Sequence, residues 1–223
     1  MNMLTLAQLL EIMPNAGKDR AAQFLPHINS AMLEFAIATP ARQAAFLAQI
    51  AHESGSLRYV REIADGSAYD TRADLGNTRA EAVRLARENG TTPGRMYRGR
   101  GLIQITGYDN YRACSQGLLG DPDMLCEHPD MLEMPTLAVR SAAWYWDSRR
   151  LNAFADAGQF ETITRKINGG LNGQADRLQY FERAKRVLAD GGPAVAPAPF
   201  PQPNQNQGIQ KWLHSFLQLF RHS

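Results

Sequence analysis

Apolar residues in this 223-residue chain recur at steps of three and four between capping, proline and glycine signals, and that periodicity dictates a mainly helical fold. Thr5 and Gln8 stand at capping-box spacing, with Leu6, Leu9, Leu10 and Met13 following at helical intervals. Pro26 should break the stretch 18–37 into two helices. Thr39 before Pro40 is a cap followed by proline at the first helical position, which opens a helix through Phe46, Leu47, Ile50 and Ala51. Gly55 is its natural stop. Residues 56–107 are rich in Gly, Asp, Asn and Thr, which predicts loops, short strands and one helix near 79–88. Helices then resume near 108–118, 136–147, 159–167 and 174–189.

Composition limits where this domain ends. Residues 191–207 carry five of the twelve prolines and no charge, the pattern of an extended linker, so the folded domain is expected to span 1–190. Beyond it, at 208–223, Ile209, Trp212, Leu213, Phe216, Leu217 and Phe220 define one face of an amphipathic helix. Lys211, His214, Gln218 and Arg221 take the other face. Such a helix either docks back on the domain or binds an anionic membrane or envelope surface, and the basic, aromatic pattern favours the surface. Net charge is +2, and two of the 24 basic residues, with no acidic one, follow residue 190. The body therefore holds 22 basic against 22 acidic side chains. A neutral body argues against nucleic acid as a partner.

No apolar run reaches the length of a bilayer span, and the first residues lack the basic start and cleavage site of a secretory signal. The expectation is synthesis and retention in a cytoplasm until something releases the protein. Cys114 and Cys126 are too few for a disulfide scaffold or a zinc site. They read as two reduced core thiols, or as one bridge if the protein works in an oxidising compartment.

The sharpest chemical signal is His52-Glu53-Ser54-Gly55, at the end of a helix with a strongly apolar face. A carboxyl sheltered there is disfavoured in its charged form, which suits a general acid; the plain alternative is an exposed glutamate in a last helical turn. A zinc protease would need a second histidine at position 56, which is Ser56, so no metal is expected. Glu62 is the second acid. On one continuous helix it would lie ~13 Å along the axis from Glu53 and on the opposite face, but a chain that turns back at Gly55 removes that objection. Asp70 is the reserve, and a structural salt bridge is the plain alternative for either.

In the segment 97–107, Gly99-x-Gly101 is a weak phosphate-loop signal, because Gln104 stands where the third glycine would fall. Ile103 and Ile105 alternate with Gln104 and Thr106, which fits a strand at a cleft wall; the alternative is a tight glycine turn into a buried strand. Asn168, before Gly169-Gly170, reads as a turn whose amide bonds backbone or ligand.

Together these segments resemble the family 19 glycoside hydrolases, the plant-type chitinases, and in particular their bacteriophage endolysin branch. The resemblance runs over about 47–184. It rests on AHESG (51–55), YRGRGLIQITGYDNY (97–111), the helix bearing Ala143-Trp144-Tyr145-Trp146, INGG (167–170) and Asp176-Arg177. It implies a lysozyme-like, two-lobed helical domain with a small strand and loop region lining the cleft. In that family Glu53 would be the general acid, and Thr106 would position the hydrolytic water. Gln104, Asn110 and Asn168 would line sugar subsites, Tyr97 and Arg177 would contact or orient the catalytic groups, and His52 would support the acid.

A base at Glu62 follows from the endolysin-like spacing, and an inverting pair of carboxyls stands ~6.5–9.5 Å apart to admit a water. Implied with this are a monomer without cofactor that cuts peptidoglycan glycan strands at the cell wall after release. A chitinase or an inactive sugar-binding module is the alternative. The chain departs from plant chitinases in lacking their long disulfide-rich insertion, and in carrying Arg98 where they usually have an aromatic residue.

Overall fold

The computed structural model describes residues 3–189, so the expected linker at 191–207 and the expected helix at 208–223 lie outside the described residues. Within them the chain forms α1 (Leu6–Ile12), α2 (Lys18–Glu34), α3 (Pro40–Glu53), α4 (Ala80–Glu88), α5 (Pro93–Met96), α6 (Tyr108–Leu119), α7 (Met124–Glu127), α8 (Pro135–Ser148), α9 (Leu151–Asp156), α10 (Phe160–Asn168) and α11 (Gln174–Leu188). The helix starts follow the sequence signals. The Gln8 N–H donates to Thr5 Oγ1 at 3.2 Å while the Thr5 N–H donates to Gln8 Oε1 at 3.0 Å, closing the capping box of α1. Thr39 Oγ1 accepts from the Arg42 N–H at 3.2 Å, with Pro40 in the first turn of α3.

Two expectations are corrected. Pro26 does not break the chain: α2 runs unbroken through it. Proline removes one ladder bond, but Phe24, Ile28, Ala31 and Met32 are buried on a helix that packs along α8, and that tertiary contact outweighs the local loss. The strand expected at 103–106 does not form either. Gly101 (φ +79°) and Gln104 (φ +58°) turn the chain back on itself, so that Arg100 pairs with Ile105 and with Arg61 in isolated antiparallel bridges. Ile103, Gln104, Ile105 and Thr106 are all buried, so the expected alternation between an apolar and an open polar face is absent.

The centre of the molecule is α3. Ten of its fourteen residues are buried, including the whole run from Gln43 to Ala51, which marks a helix covered on every side rather than one lying on a surface. It packs most extensively against α11 and also against α9, while α8 joins α2 to α6. Phe46 of α3 meets Trp146 of α8 edge-on, with ring centroids 5.6 Å apart. Cys114 and Cys126 are both buried free thiols, and burial pushes each up to about 12, so neither is a ready thiolate. Among the described residues no helix is long and apolar enough to cross a membrane.

Phe46 is buried at the middle of α3, against Trp146 of α8. Phe46→Ala is expected to lower folding stability by about 3–5 kcal/mol, measured by urea titration.

Candidate active site

The C-terminal turn of α3 and the N-terminal turns of α11 are joined side chain by side chain. His52 Nδ1 lies 2.6 Å from Asp176 Oδ2, Arg177 Nη2 donates to Glu53 Oε1 at 2.6 Å, and the Ser56 and Tyr180 hydroxyls share a hydrogen bond of 2.8 Å. All three pairs are separated by 124 positions, so the two segments advance in step. Arg177 also donates from Nη1 to Gln49 Oε1, one helical turn before Glu53, and Gln49 in turn donates to Thr164 Oγ1 at 3.0 Å. Glu53 is 8% exposed and Arg177 1%. Glu53 is therefore sheltered as expected, but by a guanidinium rather than by apolar contact alone. Its Oε2 makes no hydrogen bond to a described residue. Gly173 (φ +74°) lets α11 come this close, because a Cβ there would stand 2.3 Å from His52 Cε1.

Beyond Glu53 the chain doubles back sharply. Gly55, Ser56 and Leu57 have φ of +57°, +60° and +67°, a conformation costly for the two that are not glycine. It is held from several sides. The Ser56 N–H donates to Ala51 O at 2.7 Å, the Leu57 N–H donates to Ser54 Oγ at 2.8 Å, and Arg20 Nε donates to Leu57 O at 2.9 Å.

This turn delivers Glu62 to a second polar cluster. Tyr69 donates its O–H to Glu62 Oε1 at 2.8 Å, and the Gly99 N–H donates to Oε2 at 3.2 Å. Glu62 is 4% exposed, and burial raises its pKa; the bonds from Tyr69 and Gly99 and the charge of Arg98 oppose that rise without cancelling it. Gly99 is also the point on which Gln104 and Thr106 converge. A Cβ at 99 would stand 2.8 Å from Gln104 Oε1 and 3.2 Å from Thr106 Oγ1. Thr106 donates to Gln104 O at 2.9 Å, and Gln104 Nε2 donates to Gly101 O at 2.8 Å, while Gln104 Oε1 is buried with no partner. A buried acceptor left open is costly unless something else fills it.

The remaining expected residues divide. Asn110 and Asn168 spend an amide N–H on backbone, on Thr106 O at 2.7 Å and Asn172 O at 3.1 Å, so each shapes a loop beside the site. Tyr97 is corrected. It is fully buried, its hydroxyl donates to Cys126 O at 3.1 Å, and its ring packs edge-on against Tyr108 and Tyr111, so it supports the wall from behind and bonds neither Glu53 nor Glu62. Asp70, the reserve, lies against the start of α5. Its Oδ1 accepts from the Gly94 N–H at 2.8 Å in the first turn of α5.

The residue that does reach Glu62 is its neighbour Tyr69, which the sequence does not mark. Tyr69 is seated by buried Asn77, whose Nδ2 donates to Tyr69 O at 2.8 Å and whose Oδ1 accepts from the Tyr108 N–H at 2.9 Å. Gln49, four positions before Glu53, shares its helix face, and that spacing alone marks it.

Glu62 generates a prediction for stability. Its folded pKa lies above the unfolded reference of 4.5, so the folded state holds the proton to higher pH. The stability linked to that proton is complete below the unfolded pKa and is lost as pH rises through the folded one. Glu62→Gln keeps an oxygen acceptor without the buried charge. The variant should melt higher than the native protein at pH 7–8, with the difference shrinking towards pH 4, measured by calorimetry across that range.

Comparison with known proteins agrees with this architecture. The family model described as chitinase class I, of glycoside hydrolase family 19, matches residues 34–155. A family 19 domain-containing protein of Haemophilus influenzae is 35% identical over 63% of this chain and 76% of its own length. An endochitinase of Arabidopsis thaliana is 38% identical over 65% of this chain, which spans only 47% of that relative. Among solved structures, a bacterial family 19 chitinase superposes with a TM-score of 0.64 at 25% identity, covering 84% of this chain and 96% of its own. Chitinase C of Streptomyces griseus gives 0.63 at 25% identity, over 83% and 76%. With more than half of the chain matched, and with the helical fold shared, this protein belongs to glycoside hydrolase family 19.

Proposed function

We propose that the protein hydrolyses β-1,4 bonds of an N-acetylated aminosugar polymer with inversion, Glu53 acting as general acid and Glu62 as general base. The observation that carries this reading is the contrast between the two buried carboxyls. Glu53 is clamped through Oε1 by Arg177 and keeps Oε2 without a described partner, free to present a proton to a glycosidic oxygen. Glu62 accepts at both oxygens, from a hydroxyl and an amide, and these two bonds hold back the rise that burial gives its pKa, as a base requires. Thr106 stands beside Glu62 across Gly99, where its hydroxyl serves to hold the attacking water. The open acceptor of Gln104 suits the N–H of an acetamido group.

Peptidoglycan is the polymer we propose, with the protein acting as an endolysin that is made in the cytoplasm and reaches the wall after release. The basic, aromatic segment 208–223 would meet the anionic envelope in this reading. The names of the relatives favour a second one, in which the same machinery cuts chitin. Loss of turbidity from outer-membrane-permeabilised Gram-negative cells supports the wall substrate. Release of soluble sugars from chitin without such a loss supports the second reading.

Glu53→Gln should reduce hydrolysis by roughly 10²–10⁴-fold. An aryl glycoside whose leaving group needs no proton should recover part of that loss for Glu53→Gln and none for Glu62→Gln. Near-native activity of Glu53→Gln on the polymer would sink the assignment. Rescue of Glu62→Gln instead would exchange the two roles. Tyr69→Phe removes a donor that favours ionised Glu62, so the acidic limb of kcat/KM should move to higher pH, as read from a pH–rate profile.

A further inference from the structure

We infer that Arg98 selects a carboxylate-bearing glycan, its guanidinium pairing with a free carboxylate on the peptide stem of the bound strand. This deepens the peptidoglycan reading and rests on it. Arg98 lies between a residue turned into the core, Tyr97, and one bonded to Glu62, Gly99. Its backbone is fixed, because Arg98 O accepts from the Tyr111 hydroxyl at 2.6 Å, and its Cβ packs tightly against Gly66.

Its head group is different. Among the described residues Arg98 makes no ion pair and no side-chain hydrogen bond, and its Nε is buried without a partner. The neighbouring guanidiniums are provided for. Arg100 bonds Glu133 at 2.8 Å and has Asp130 at 3.8 Å, and Arg61 has the same Glu133 at 3.6 Å. Arg61 and Arg100 thus take the carboxylates of Glu133 and Asp130, and Arg98 bonds neither; Glu62 acts on it through charge alone. Burial, then the like charges of Arg61 and Arg100, hold its pKa below the ordinary arginine value, with the charge of Glu133 opposing them.

This charge sits at the wall of the site, close enough for Glu62 to feel it. A chitin strand brings only hydroxyls and acetamides there. A peptidoglycan strand carries stem peptides with free carboxylates, and the planar guanidinium fork matches a carboxylate in both geometry and charge.

The test compares native peptidoglycan with the same material after its stem carboxyls are converted to amides, using the full-length protein and its Arg98→Gln and Arg98→Lys variants. The readout is the ratio of kcat/KM on the two walls, which cancels any effect of the substitution on Glu62 or on the folded fraction. The native protein should prefer the unmodified wall by about tenfold, the scale of one charge-assisted hydrogen bond. Arg98→Gln should bring the ratio to about one, and Arg98→Lys should keep most of the preference. Equal ratios for the native protein and Arg98→Gln, or no preference in the native protein, overturn the role of Arg98 while leaving wall hydrolysis standing. A native protein that cuts chitohexaose and neither wall overturns the substrate reading itself, and this inference with it.

Discussion

The ion pair between Arg177 and Glu53 is the contact around which the molecule is arranged. Both side chains are nearly free of solvent, so their attraction is offset by the cost of removing two charges from water, and Arg177 Nε is buried without a partner besides. Such a pair contributes little net stability. Its effect is positional. Guanidinium and carboxylate meet at 2.6 Å only if α3 and α11 hold one register, and a slip of one residue on either helix would carry the partner about 100° around the axis. The bonds of His52 to Asp176 and of Ser56 to Tyr180 keep that register from both sides of the pair.

From this fixed point the chain reaches Glu62 through three successive residues of positive φ, a local strain that the core tolerates because Leu57 is fully buried and its backbone is bonded on both sides. The outcome is two sheltered carboxyls in unlike surroundings, one held by a cation and one by neutral donors. Environment rather than residue type thus distinguishes two glutamates, the condition under which the proposed division of roles can hold.

Much of this was legible in the sequence because its signals are local. The capping box at Thr5, the Thr39-Pro40 start and the stop after Glu53 depend on neighbours within four positions, and all three hold. The errors came where distant packing decided. Pro26, itself exposed, sits inside a helix because the buried face of α2 packs along α8. Ile103 to Thr106 alternate like a strand, yet all four are buried because Gly101 and Gln104 fold the segment into a turn. At the candidate site, Glu53 and Glu62 could be singled out from their place in the sequence, and Gln104, Thr106 and Arg177 from the family resemblance; all five are buried. Tyr69 could not, because its hydroxyl reaches Glu62 through a turn anchored by Asn77, and no periodicity records that path. Tyr97 misled for the opposite reason: its place in a motif says nothing about whether the ring faces the groove or the interior.

The separation of 124 positions between Glu53 and its arginine also sets a schedule for the newborn chain. At roughly 5–20 residues per second a ribosome needs about 6–25 s to travel from codon 53 to codon 177. Throughout that interval Glu53 exists without the guanidinium that holds it. The cluster around Glu53 is therefore completed only once α11 has been made, and a prematurely terminated product lacking α11 lacks Asp176, Arg177 and Tyr180 with it.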